Sequence, residues 1–179
     1  GLCVEEDLTR QIPGIQLVAG LGFICSTKIA PAHILHQDYG SLTLANYSCR
    51  DSDMVERIAE ELTAAEVQTS CVEYNFGRWR KAIWNLPFNG LTVVRNTDTL
   101  SLVNNEETLV REIMREVVAI ANALGVEELG EQHIDKNIED TRSMKPYSPS
   151  MKVDFDHHRP MEVYYLYTRA IMEADRLGV

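Results

Sequence analysis

Residues 78–91 read "RWRKAIWNLPFNGL". After a basic opening, aliphatic and aromatic side chains dominate. Lys81, Asn85 and Asn89 recur inside the run at intervals of four. Side chains four apart stack along one face of an α-helix, so the spacing predicts a helix with a lysine and two amides in one line. Ile83, Trp84, Leu86 and Phe88 are built for packing. A buried amide without a partner costs about 1–3 kcal/mol, and a lone charge costs more. The three polar groups therefore face solvent, pair inside the fold, or face a cleft that holds a ligand. Spacing alone favours the first outcome. Pro87 and the narrow room for a wet face argue for the third, because an internal proline marks a bend.

This stretch also divides the chain. Downstream the pattern is helical. Residues 105–125 form the clearest helix, with Asn105 expected as its cap, Gly125 as its stop, and Leu109, Val110, Ile113, Met114, Val117, Ile120 and Leu124 on its apolar face. Residues 127–144 are polar and read as weaker helix, and 145–151 as a loop with Pro146 and Pro149. Residues 160–178 read as a final helix with Pro160 and Glu162 in its first turn. Upstream the signal is mixed. Residues 4–12 suit a short helix, 15–27 a strand ended by a turn at Pro31, and 33–38 and 41–47 two strands joined near Tyr39–Gly40. Residues 51–67 suit an amphipathic helix capped by Asp53 with Glu56, and 68–74 a last strand. The expected architecture is an α/β piece at 1–75 followed by an all-α piece at 76–179.

Composition narrows the function classes. The 179 residues are 45% hydrophobic and 25% charged, as in an ordinary soluble globular protein, with a net charge of −10. An acidic surface repels phosphate backbones and anionic membranes. No apolar run reaches the roughly 20 residues that span a bilayer. Cys3, Cys25, Cys49 and Cys71 lie far apart without a C-x-x-C pair, which points to free thiols in a reducing cytoplasm and to no metal site.

The residues allow specific chemistry. A lysine can hydrogen-bond a carbonyl oxygen and protonate it as it becomes an alkoxide, while amides fix a neighbouring hydroxyl or carboxylate. Glu162 is the candidate carboxylate to orient the lysine; spacing alone favours a plain surface residue at a helix start.

With these residues in view, "RWRKAIWNLPFNGLT" resembles the start of the C-terminal domain of ketopantoate reductases (2-dehydropantoate 2-reductases): a Lys, Asn four and eight residues on, then Leu-Thr. "SPSMKVDFDHHRPMEV" resembles that family's second signature through Ser150, Met151, Asp154, Arg159 and Glu162. The resemblance implies the second half of a Rossmann-like cofactor domain, followed by a helical domain like that of 6-phosphogluconate dehydrogenase. The phosphate-binding G-x-G-x-x-G is not within these residues, so a fragment is expected, one that alone binds NADPH poorly and is inactive. By resemblance, Lys81 is the proton donor, and Asn85, Asn89 and Ser150 bind substrate. Glu162 contacts the nicotinamide riboside, and Thr27, by position between strands, contacts the cofactor through its backbone. The implied activity is NADPH-dependent reduction of ketopantoate to pantoate for pantothenate and coenzyme A synthesis, in the cytoplasm, with a homodimer left open. Tyr147-Ser148-Pro149 departs from the family before Ser150, which leaves another 2-oxoacid or opine-type reductase as an alternative. A non-catalytic interaction domain is the alternative from a different class.

Overall fold

The structure is a computed structural model that describes residues 1–179. The chain divides into two compact units: Glu5–Gly77, and Gly1–Val4 together with Arg78–Val179. The helix that contains the opening stretch, α3, spans Tyr74–Val94, so the change of unit falls inside it. The first residues differ from the expected division, because Gly1–Val4 group with the helical unit. The Leu2 nitrogen donates to the Tyr165 carbonyl at 2.6 Å. A Cβ at Gly1 would lie 2.3 Å from the Tyr165 Cβ, so only glycine allows this approach.

The α/β unit holds helix α1 (Val4–Gln11), strands β1 (Val18–Ala30) and β2 (His33–Asn46), helix α2 (Met54–Ala64) and strand β3 (Thr69–Cys71). The sheet order is β1-β2-β3; β1 and β2 are antiparallel, and β2 and β3 parallel. The two strands expected over 33–47 are one. Phe23 pairs with Ser41 and Ile24 with Tyr39, so Gly40 is an extra residue that bulges without ending the strand. Gly40 takes φ +147°, open to a residue with no Cβ. Pro31 makes the expected turn, with Ala32 at φ +58°. Asp53 occupies the N-cap of α2 but makes no side-chain cap bond. Asp51 acts there instead, accepting from the Asp53 nitrogen at 3.1 Å and from Arg57 at 2.7 Å. Ala19, Leu21, Leu44, Ala45 and Val55 form the core of this unit.

The helical unit continues α3 with α4 (Thr99–Ala123), α5 (Glu131–Ser143), α6 (Ser150–Asp156), a π-helical turn (Tyr164–Thr168) and α7 (Arg169–Leu177). α4 starts six residues before the expected cap. Asp98 caps it, accepting from the Ser101 nitrogen at 2.9 Å. The cap signal at Asn105 falls instead on a bend, where Glu106 leaves helical geometry at φ −133°, ψ 30°. Gly125, at φ +89°, ends the helix as expected. α5 is polar yet complete. Ile134, Ile138 and Thr141 are buried on one face, while Arg111 of α4 meets Asp135 at 2.7 Å and Arg115 meets Glu131 at 2.6 Å. Trp79, Ile83, Phe88, Leu102, Met114, Val117 and Leu129 fill the core. No helix is long and apolar enough to cross a membrane.

Candidate active site

The line on α3 is not a wet face. Lys81 and Asn85 are half-buried, and Asn89 is 3% exposed. Their fates differ. Asn89 is used at both ends of its amide: Nδ2 donates to the Asn85 carbonyl at 3.0 Å, and Oδ1 accepts from the Met151 nitrogen at 3.2 Å. α6 begins after Pro149, which offers no side-chain acceptor, so Asn89 supplies the missing cap from another helix. Asn89 thereby fixes the position of Ser150. The Asn85 side chain makes no hydrogen bond within the protein, and neither does the exposed Ser150 hydroxyl. These are the groups of the set with hydrogen-bonding capacity left for something else.

Burial is the largest influence on Lys81 and pushes its pKa below the ordinary lysine value. The positive charge of Arg78, one turn earlier on α3, pushes the same way, and the Glu162 carboxylate opposes both. Arg78 is itself lowered by burial and held up partly by Cys3 and Glu162. The sequence nominated a basic cluster here but not Arg78 as a group acting on Lys81. The signal was the i, i+3 spacing between the two.

Glu162 does not lie in a helix. The final helical run starts at Tyr164 with a π-turn, so Pro160 and Glu162 both belong to the connection before it. The connection is shaped by the other residues of the second signature. Arg159 donates from Nε to Asp154 Oδ1 at 2.8 Å, and its backbone nitrogen donates to the Asp154 carbonyl at 2.8 Å. Glu162 Oε1 then lies 3.5 Å from the Gly1 nitrogen, with its side chain 55% exposed. Lys152, beside Ser150, is buried and paired with Asp156. Thr27 belongs to the other unit and lies within β1, paired with Leu35, not between strands. A cavity of 520 Å³ at the bend of α4, bordered by Glu106, Glu107, Glu112 and Arg142, contains none of the nominated residues.

The helical unit thus carries a half-buried lysine, an uncommitted amide, an exposed serine hydroxyl and a carboxylate. The family model described as "Ketopantoate reductase PanE/ApbA C terminal" matches residues 75–179, and the chain belongs to this family. A curated 2-dehydropantoate 2-reductase from Nostoc sp. is 36% identical, over all of this chain and 58% of the relative. The crystal structure of 2-dehydropantoate 2-reductase from Methylococcus capsulatus superposes with a TM-score of 0.89 at 36% identity, covering 100% of this chain and 58% of that one. The corresponding structure from Geobacter metallireducens gives 0.92 at 30% identity, covering 98% and 60%. The chain thus spans 58% of the length of the first curated relative it matches.

Proposed function

We propose that the protein carrying this chain reduces 2-dehydropantoate to pantoate with NADPH, and that Lys81 is its proton donor. The observation that carries the reading is Lys81 itself: a half-buried amine with a lowered pKa, on the same helix face as the uncommitted Asn85 amide. The hydride for the C2 carbonyl would come from a nicotinamide cofactor when one is bound. The exposed Glu162 carboxylate suits a hydrogen bond from a ribose hydroxyl, so this part of the chain fits the riboside end of the cofactor. By resemblance alone, Thr27 is a further cofactor contact.

The chain's own residues do the rest. The Lys81 ammonium hydrogen-bonds the carbonyl oxygen, draws electron density toward it, and gives it a proton as the alkoxide forms. A lowered pKa makes the ammonium a stronger acid, closer in strength to what the transfer needs. Asn85 and Ser150 hold the substrate's hydroxyl and carboxylate, and Asn89 serves them by setting where α6 begins. Lys81→Ala in the full-length protein should lower kcat for ketopantoate by about two orders of magnitude while NADPH affinity stays unchanged. Near wild-type turnover by that variant would refute the assignment. A panel of 2-oxoacids in the same assay tests the substrate, since activity confined to other acids would remove ketopantoate.

A further inference from the structure

One half-buried hydroxyl that reaches the stretch of α3 carrying the polar line has no part in the proposed reaction. Tyr167, within the π-turn, donates from its hydroxyl to the Leu86 carbonyl at 2.7 Å. Leu86 directly follows Asn85, and Pro87 follows Leu86. The proline has no N–H, so the Ile83 carbonyl one turn earlier lacks its helical donor. The opposite side of the contact is cleared by Gly90. A Cβ there would come within 2.7 Å of the Tyr167 hydroxyl and 3.2 Å of its ring carbon Cζ. The hydroxyl thus reaches the helix at a turn where glycine leaves it room. Burial pushes the Tyr167 pKa up to about 12, so the group remains a donor throughout the working range of an enzyme.

The other end of this contact matters equally. Tyr167 lies five residues after Glu162, and its backbone nitrogen donates to the Val163 carbonyl at 2.9 Å. One hydrogen bond therefore joins the segment that presents Glu162 to the stretch of α3 between Asn85 and Asn89. We propose that Tyr167 is a positioning residue: its hydroxyl ties α3 at Leu86 to the segment that carries Glu162, and so holds Lys81 and Asn85 in place relative to that carboxylate. This rests on the proposed role of Lys81.

The test is kinetic, in the full-length enzyme with ketopantoate and NADPH. Tyr167→Phe removes the hydroxyl and keeps the ring. kcat/KM is expected to fall about tenfold to a hundredfold, as sub-ångström misplacement of a reacting group does, with most of the loss in kcat. In a Lys81→Ala background the same substitution should change kcat by less than about twofold, because the donor it positions is gone. A loss of folded protein would instead lower both backgrounds by the same factor, and that result overturns the proposal. Wild-type kcat and KM in Tyr167→Phe also overturn it, while an inactive Lys81→Ala leaves the functional reading standing. Wild-type turnover in Lys81→Ala overturns both. If Tyr167→Phe does not fold, Gly90→Ala, which displaces the hydroxyl without removing it, is measured in its place. Unchanged kcat and KM there overturn the proposal.

Discussion

The two amides of the α3 line look equivalent in sequence and should respond oppositely to truncation. Asn89→Ala removes the Nδ2 bond to the Asn85 carbonyl, a loss of about 1 kcal/mol. It also strands the Met151 nitrogen, whose residue is 4% exposed, without its acceptor. An unmet buried N–H costs about 1–3 kcal/mol. Alanine returns about 0.5 kcal/mol through its higher helix propensity. The net loss is about 1.5–3.5 kcal/mol, or about 3–14 °C in Tm for a chain of this size. Asn85→Ala breaks no hydrogen bond of its side chain, so its effect on stability should stay within about 0.5 kcal/mol. Its effect should fall on KM for the keto acid instead. Thermal unfolding of the two variants beside steady-state kinetics separates the outcomes. If Asn85→Ala proves as destabilising as Asn89→Ala, or if Asn89→Ala melts with the parent protein, the assignment of one amide to structure and the other to substrate is wrong.

Two further outcomes follow from the surroundings of Lys81 and Glu162. The proposed reduction needs the protonated amine, so kcat/KM should fall as pH rises through the Lys81 pKa, a limb that lies below the ordinary lysine range because burial and Arg78 lower it against the pull of Glu162. Arg78→Gln removes a like charge, raises that pKa, and should move the falling limb to higher pH; a limb that stays put or moves lower in a pH–rate profile contradicts the influence of Arg78. Gly1→Ala drives a methyl group to within 2.3 Å of the Tyr165 Cβ and 2.6 Å of Glu162 Oε1, so overpacking should cost about 1–3 kcal/mol, read as a lower denaturation midpoint in urea. An unchanged midpoint would show that the close approach at Gly1 relaxes freely.

The order of a mixed sheet region before a helical region was legible because it rests on hydrophobic period, which needs no long-range information. Chain breaks were harder, because signals of equal strength have different outcomes. Gly40 looked like a joint and is a bulge, since antiparallel pairing with β1 continues on both sides of it. Asn105 looked like a cap and lies inside α4, with its Nδ2 donating to the Ser101 carbonyl at 2.8 Å. The stronger cap, Asp98, already bonds both the nitrogen and the hydroxyl of Ser101. Pro160 looked like a first-turn proline and precedes the helix, because the Asp154–Arg159 pair closes its own turn first.

The candidate site divides in the same way. A lysine and two asparagines at i, i+4 and i+8 share a face by geometry, so their alignment could be read from residues 81–89 alone. Which of them keeps a free hydrogen-bonding group depends on what reaches that face from elsewhere. Met151 takes Asn89, and nothing in the protein takes Asn85. Tyr167 reaches the same turn from the far end of the chain, and its only local trace is Gly90, a helix-interior glycine that propensity alone makes a cost of about 1 kcal/mol. A proline and a glycine three residues apart inside a 21-residue helix would weaken it if the helix stood alone. Here the glycine admits a hydroxyl from the segment that presents Glu162, a contact with the other part of the proposed site. On this reading Gly90, which weakens α3, lies in the same turns as the residues proposed for chemistry for one reason: a side chain at position 90 would collide with the Tyr167 hydroxyl that reaches Leu86.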